Sequence, residues 1–116
     1  MPYLSFLCAA ALAVDGDTLR CANLSAEANG RVRLARIDAP ERGEPGYEEA
    51  TRALTTMIEG REVRCELVDA DPRTKHFEER DPYGRPVARC TVDGRDLGQV
   101  LIEMEMAKPW PKVRRK

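Results

Sequence analysis

The sequence predicts a mainly β domain with two helices, which is an α+β fold. Short apolar runs are separated by Asp-Gly or Asn-Gly dipeptides at positions 15, 29 and 93, and such dipeptides are strong turn signals. Two other stretches carry apolar residues at helical spacing. The 116 residues suit a single domain, and 42% of them are hydrophobic, which is enough for one core.

Three strands are predicted in the first third of the chain. Residues 4–14 form an apolar run, although alanine is a weak strand former, and residues 18–24 return from the Asp-Gly turn. The Asn-Gly turn then leads into a third strand at residues 31–37. Strand alternation places Val32 and Leu34 on one face of it and Arg31 and Arg33 on the other.

A helix is predicted over residues 47–59, followed by a fourth strand at residues 61–68. The apolar stripe of this helix consists of Ala50, Leu54, Met57 and Ile58. Two glutamates in its first turn suit the positive end of the helix dipole. A glycine at position 60 is placed to end the helix.

The second half of the chain predicts a loop, a strand and a helix. Residues 69–84 are charged and unpatterned, and residues 86–92 form the fifth strand. Leu97, Val100, Leu101 and Met104 then mark a helix with Asp96 as its N-cap. Five strands, with one helix after the third and another after the fifth, match a five-stranded Greek-key barrel of the OB type.

Charge and hydropathy exclude several classes of protein. The net charge of −1 is not that of a protein that holds nucleic acid by bulk electrostatics, so phosphate recognition needs a few placed arginines. No segment approaches the roughly 20 apolar residues of a membrane span, so no membrane partner is expected. Residues 1–14 are short and lack a basic start, which disfavours a signal peptide. We expect one domain over residues 1–108 and a basic tail at 109–116.

The four cysteines form no C-x-x-C pair, and the chain has one histidine, so a structural zinc site is not expected. Cys65 and Cys90 fall in two predicted strands. The sequence leaves open whether they form a cross-strand disulfide or are buried as free thiols.

Two aspartates and a glutamate are candidates for metal-assisted chemistry. Asp17 lies in the first turn and Asp38 ends the third predicted strand, where a barrel rim would expose it. Two carboxylates at one rim suit a hard cation such as Ca²⁺ or Mg²⁺. Glu41 follows Pro40, whose fixed φ restricts the backbone, and a carboxylate near a metal can orient or deprotonate water.

Two arginines and a tyrosine complete the candidate site. Arg33 lies on the third strand and Arg85 follows a Tyr-Gly turn. Two guanidinium groups can hold a phosphate while negative charge builds in the transition state, and Tyr83 can stack on a base. Each residue alone is common in turns or on solvated surfaces, but together they predict a metal-assisted phosphodiesterase.

These motifs resemble those of the staphylococcal nuclease-like (thermonuclease) family. The chain has Asp-Gly-Asp-Thr at 15–18, Arg-Leu-Ala-Arg-Ile-Asp-Ala-Pro-Glu at 33–41 and Asp-Pro-Tyr-Gly-Arg at 81–85. The resemblance covers nearly the whole chain. It implies a five-stranded OB-type barrel that hydrolyses phosphodiester bonds of DNA and RNA with Ca²⁺ as cofactor.

The resemblance also implies a role for each candidate residue. Asp17 and Asp38 match the calcium-binding carboxylates of the family, and the carbonyl of Ala39 matches a third ligand. The proposed general base, the two phosphate-contacting arginines and the substrate-contacting tyrosine are matched by Glu41, Arg33, Arg85 and Tyr83.

The chain departs from the family pattern mainly at its C-terminal end. The third helix of the family has no counterpart after Trp110, so a homodimer or a disulfide is expected to supply stability. Pro82 stands where the family can have a substrate-contacting lysine, and Glu105 stands where it commonly has glycine.

Two functions are compatible with the sequence. A nuclease acting on single-stranded or frayed DNA and RNA is favoured, because the chain retains the three carboxylates and the two arginines that the chemistry needs. These are Asp17, Asp38, Glu41, Arg33 and Arg85. The alternative is a catalytically silent module on the same fold that binds nucleic acid or protein. A secreted or periplasmic location is expected, and a cytoplasmic one is left open.

Overall fold

The computed structural model describes residues 5–24 and 28–112. Leu4, the predicted start of the first strand, and residues 113–116 of the predicted tail lie outside the described residues. The strands are β1 (Ser5–Leu7), β2 (Leu12–Asp15), β3 (Thr18–Arg20), β4 (Arg31–Leu34), β5 (Ile37–Asp38), β6 (Arg64–Leu67), β7 (Val87–Val92), β8 (Arg95–Asp96) and β9 (Lys108–Pro109). The helices are α1 (Tyr47–Ile58) and α2 (Leu97–Glu103).

Most strands belong to one mixed sheet. Its hydrogen-bonded order is β1-β6-β7-β4-β3-β2, and β8 pairs with β7. The β4–β7 pair is parallel and the other pairs are antiparallel. The outer strands β1 and β2 are consecutive in the chain, so residues 8–11 connect the two edges of the sheet. This α+β architecture is the predicted class and is compatible with an OB-type fold.

Two predicted strands are broken, so the prediction of continuous strands is wrong there. Residues 5–14 hold β1 and the start of β2, and Ala10 between the two strands has a positive φ of 49°. Residues 31–37 form β4 and the start of β5, and Arg36 between them has a φ of 65°. Each break lets one stretch pair with two neighbours: β1 pairs with β6 and β2 with β3, while β4 pairs with β3 and β7 and β5 with β9.

The remaining strands are shorter than predicted. The second strand ends at Arg20, and Ala22–Leu24 forms a 3₁₀ turn. The fourth begins at Arg64 rather than at Arg61. The Asp-Gly turns at 15 and 93 are confirmed, because they join the antiparallel pairs β2–β3 and β7–β8.

Helix α1 is confirmed, including its apolar stripe. Ala50, Leu54 and Ile58 are buried, and Met57 packs against the core while partly exposed. Gly60 has a φ of 70°, as expected of a residue that ends a helix.

Helix α2 is confirmed except at its C-terminal end. The Asp96 carboxylate accepts hydrogen bonds from the N–H groups of Gly98, at 2.8 Å, and Gln99, at 3.3 Å. Met104 was expected in the apolar stripe, but it follows the last helical turn and is 46% exposed. The stripe prediction is wrong at this residue because the helix ends one residue earlier.

Disulfides join Cys8 to Cys21 and Cys65 to Cys90, and all four residues are buried in the core. Cys65 and Cys90 are directly opposed in the β6–β7 pair. The bond between Cys8 and Cys21 fastens the connection between β1 and β2 to the end of β3. Within the described part of the chain, no helix has the length and apolar character needed to cross a membrane.

Candidate active site

Two of the predicted carboxylates contact one arginine. Thr18 is paired with Arg33 in the β3–β4 ladder, which places Asp17 beside Arg33. Arg33 Nη1 lies 3.4 Å from Asp17 Oδ2, and Arg33 Nη2 lies 3.8 Å from Asp38 Oδ1. Because one guanidinium contacts both carboxylates, Asp17 and Asp38 converge on the same side of the molecule.

Asp17 is a buried carboxylate, only 8% exposed. Its Oδ2 accepts a hydrogen bond from the N–H of Ala39 at 2.9 Å, and its Oδ1 accepts one from the hydroxyl of Thr18 at 3.2 Å. Burial raises the pKa of Asp17 to about 6, outweighing Arg33 and the Ala39 hydrogen bond, which lower it. A nearby cation would stabilise the ionised form of a carboxylate that is buried in this way.

Gly16 allows the hairpin to approach helix α1 closely. A Cβ added at Gly16 would lie 2.7 Å from the Cβ of Ala50 and 2.8 Å from the Cβ of Ala39. No side chain fits there without a shift of the surrounding backbone. The packing therefore holds Asp17 within hydrogen-bond distance of Ala39. The sequence predicted Gly16 only as a turn residue.

Asp81 fixes the second arginine. Its Oδ2 accepts from Arg85 Nε at 2.7 Å, and its Oδ1 accepts from the backbone N–H groups of Tyr83, at 3.0 Å, and Arg85, at 2.8 Å. Arg85 Nη1 donates to Thr18 Oγ1 at 3.2 Å. Asp17, Thr18 and both arginines thus form one connected polar network. No role for Thr18 or Asp81 was derived from the sequence, although both lie in its motifs.

Glu41 and Tyr83 are both exposed. The N–H of Glu41 donates to Glu44 Oε1 at 2.7 Å, and its carbonyl accepts from the N–H of Glu44 at 2.8 Å. This fixes the backbone three residues after Asp38, whereas the Glu41 carboxylate accepts no hydrogen bond from the described residues. Tyr83 is 82% exposed, and its ring centre lies 5.3 Å from the Cζ of Arg85.

A cleft of about 490 Å³ is lined by Arg33, Tyr83 and Arg85. Its lining also includes Trp110, for which the sequence predicted no role. Five arginines and three acidic residues line it, at positions 33, 36, 73, 80 and 85 and at positions 71, 78 and 81. The cleft is therefore locally cationic although the chain has a net charge of −1.

The donor chemistry of Asp17 and Asp38 fits a hard cation. Carboxylate oxygens are preferred ligands of Ca²⁺ and Mg²⁺, and these two converge on one guanidinium. Over residues 5–24 and 28–112, however, no three His, Cys, Asp or Glu side chains are grouped so as to hold a metal. A cation bound here would take its remaining ligands from backbone carbonyls and water.

Comparisons with known proteins point to one family. The family described as "Staphylococcal nuclease homologue" matches residues 31–115. Protein ParB of Escherichia coli is 36% identical over 101 residues, which are 87% of this chain and 45% of ParB. The probable staphylococcal-like nuclease CAN1 of Oryza sativa subsp. japonica is 33% identical over 78 residues, which are 67% of this chain and 19% of CAN1. The chain thus spans less than half the length of these relatives.

Proposed function

The chain belongs to the staphylococcal nuclease-like family, and from that premise we propose that it is a metal-dependent nuclease hydrolysing phosphodiester bonds of DNA, RNA or both. One observation carries the proposal. Arg33 contacts Asp17, and Arg85 donates to the adjacent Thr18. Two guanidinium groups beside a buried carboxylate suit a phosphate and its counter-cation.

The proposed cofactor is Ca²⁺, with Asp17, Asp38 and the carbonyl of Ala39 as its protein ligands. The convergence of the two carboxylates and their hard oxygen donors support this assignment. When bound, the cation would supply positive charge beside the phosphate and polarise a nearby water. Its charge would also favour the ionised form of Asp17, opposing the effect of burial on the pKa.

The exposed carboxylate of Glu41 is assigned to the attacking water, which it would orient or deprotonate. The water oxygen forms a bond to phosphorus as the bond to the 5′-oxygen breaks. Arg33 and Arg85 would donate hydrogen bonds to the phosphoryl oxygens as their negative charge increases. Asp81 holds Arg85 through Nε, which keeps the rest of the guanidinium aimed toward the Asp17–Thr18 segment.

The test is hydrolysis of single-stranded DNA by the purified protein with Ca²⁺ and with EDTA. Cleavage is expected only with the cation. Arg85→Ala should lower kcat by about 10²- to 10³-fold, the effect of losing one oriented donor, and Arg33→Lys should also lower it because an ammonium cannot replace the guanidinium fork. Arg61→Ala is the control, since Arg61 pairs with exposed Asp93 and does not line the cleft.

The opposite result would identify the alternative function. Binding of single-stranded DNA without cleavage at any Ca²⁺ concentration would overturn the nuclease proposal in favour of a silent binding module. If both arginine variants cleave DNA at the wild-type rate, Arg33 and Arg85 do not have the roles assigned to them. The nuclease activity would then depend on other residues.

We further propose that the protein works in an oxidising compartment, being secreted or periplasmic. Two disulfides support this, because such bonds persist outside the reducing cytoplasm. Alkylation and mass measurement of the protein recovered from cell fractions should find the cysteines oxidised outside the cytoplasm. Recovery from the cytoplasm with all thiols reduced would contradict the proposal.

A further inference from the structure

Thr18 lies between the carboxylate proposed to bind the cation and an arginine proposed to bind the phosphate. Its hydroxyl donates to Asp17 Oδ1 at 3.2 Å and accepts from Arg85 Nη1 at 3.2 Å. The residue is only 1% exposed, so water has little access to either bond. The proposed function assigns this hydroxyl no role of its own, although it joins the two binding groups.

The direction of both hydrogen bonds follows from the groups that make them. A guanidinium only donates, and an ionised carboxylate only accepts. The single proton of the Thr18 hydroxyl therefore goes to Asp17, and an oxygen lone pair receives the N–H of Arg85. A serine hydroxyl has the same capacity, whereas a methyl group in its place has none.

The backbone that carries the hydroxyl is fixed on the neighbouring strand. Thr18 is paired with Arg33 in the β3–β4 ladder, and the N–H of Leu34 donates to the carbonyl of Asp17 at 2.8 Å. The Thr18 hydroxyl is therefore an acceptor of fixed position for the arginine that reaches it from the loop before β7.

Arg85 is restrained at two of its three side-chain nitrogens. Asp81 Oδ2 accepts from Nε at 2.7 Å, and Thr18 accepts from Nη1. Among the residues that the structure describes, none accepts a hydrogen bond from Nη2. Arg85 thus keeps Nη2 and the second N–H of Nη1 for a phosphate, while Thr18 holds this edge of the guanidinium beside Asp17.

We propose that the Thr18 hydroxyl is a positioning group that holds Arg85 beside Asp17, so that a divalent cation and a phosphate bind cooperatively. The inference rests on the proposed function and names what couples its two binding sites. Two ligands of opposite charge strengthen each other's binding most when they are held close together. Without the hydroxyl, Asp81 would hold Arg85 at Nε alone, and the guanidinium would no longer be tied to the cation ligand.

The test is calorimetric binding of thymidine 5′-monophosphate, a monoester that a phosphodiesterase does not cleave. The ratio of its Kd in EDTA to its Kd in Ca²⁺ measures the coupling and should exceed one for the wild type. Thr18→Val keeps the branched shape, and it should raise the Kd in Ca²⁺ about five- to tenfold, the effect of losing one hydrogen bond to a charged group. In EDTA the Kd should change less than about twofold, because no cation is present to couple with the phosphate.

Two pairs of side chains separate the hydroxyl from the shape of residue 18. Threonine and valine differ mainly by the hydroxyl, and so do serine and alanine. Thr18→Ser should keep the wild-type ratio within about twofold, and Thr18→Ala should lower it as Thr18→Val does. If Thr18→Val does not fold, the serine and alanine variants make the same comparison. A purely structural role would impair the serine variant as much as the alanine variant.

Thr91→Val is the matched control, because Thr91 lies on strand β7 and does not line the cleft. It removes a strand threonine hydroxyl outside the site and should change neither Kd. The Thr18→Val variant should also lower kcat for single-stranded DNA by about tenfold, less than Arg85→Ala, because Asp81 still holds the arginine.

The outcomes distinguish this inference from the proposed function. It is overturned if the wild type shows no coupling, or if variants with and without the hydroxyl have the same ratio. A protein that never cleaves DNA, yet loses the Ca²⁺-dependent affinity in Thr18→Val and Thr18→Ala, would refute the nuclease and support the role of Thr18. A protein that cleaves DNA with a ratio independent of the hydroxyl would do the reverse.

Discussion

Asp81→Asn isolates the orientation of Arg85 from its presence. Asparagine keeps an oxygen for the backbone N–H groups of Tyr83 and Arg85, so the turn is retained. Its amide NH₂ replaces the oxygen that accepts from Arg85 Nε at 2.7 Å, and an NH₂ group cannot accept that bond. The substitution therefore removes the hydrogen bond at Nε of Arg85, while the hydrogen bond from its Nη1 to Thr18 remains.

The expected magnitude follows from the geometry. The side chains of Asp81 and Arg85 are 9% and 21% exposed, so water competes weakly for their bond. A hydrogen bond between charged groups contributes about 1.5–3 kcal/mol, and we expect a loss of about 2 kcal/mol in the free energy of unfolding. Because Thr18 still restrains Arg85, kcat should fall by about 10- to 100-fold, less than the 10²–10³ expected when the donor is removed.

The assay is the rate of single-stranded DNA hydrolysis at saturating Ca²⁺ for Asp81→Asn, Arg85→Ala and the double variant. If Asp81 acts through Arg85, the double variant should be as slow as Arg85→Ala and no slower. A double variant slowed by the product of both factors would refute the reasoning. Asp93→Asn is the matched control, since Asp93 pairs with Arg61 at 3.2 Å on an exposed surface.

Three further predictions concern stability. The pKa of Asp17 is about 6 in the folded protein, above its ordinary 3.8, so between these values the native state binds a proton that the unfolded state releases. The free energy of unfolding in EDTA should therefore fall by about 3 kcal/mol as the pH rises from 4 to 7. Urea titrations of Asp17→Asn should lack this decrease, and the same pH dependence of stability in the wild type and the variant would contradict the prediction. Gly16→Ala should destabilise the fold by about 1–3 kcal/mol, because the added Cβ would lie 2.7 Å from that of Ala50. The same variant should bind Ca²⁺ more weakly in calorimetry. An unchanged free energy of unfolding and an unchanged Ca²⁺ affinity would contradict the close packing of Gly16. Replacing Cys65 and Cys90 by alanine should cost about 3 kcal/mol in denaturant unfolding, because their bond closes a loop of 25 residues in the unfolded chain; a loss below about 0.5 kcal/mol would contradict this.

Local features of the chain were predictable from the sequence. The Asp-Gly turn at 15, the stripe of α1 and the Asp96 cap of α2 each depend on residues within a few positions of one another. Turn preference, helical periodicity and capping operate over that range, so the pattern was sufficient. The family resemblance likewise drew on short motifs, and the match over residues 31–115 confirms it.

Features that depend on long-range pairing were not predictable in the same way. The breaks at Ala10 and Arg36 have no local turn signal, since alanine and arginine rarely adopt positive φ. Each break is explained by the strands that the two halves pair with. The contact between the Arg73 guanidinium and the Trp110 ring similarly joins a loop to a segment near the described end of the chain, and no motif connects the two residues.

The sequence by itself determined the residue types of the site and the turns and strand ends that carry Asp17, Asp38 and Arg85. Only the tertiary structure decided that Arg33 touches both aspartates, that Arg85 reaches Thr18, and that Asp17 is buried enough to raise its pKa. The physical reason is separation along the chain. Asp17 and Ala39 are 22 residues apart, and Thr18 and Arg85 are 67 apart, so their distances and shared dielectric environment exist only once the sheet has formed.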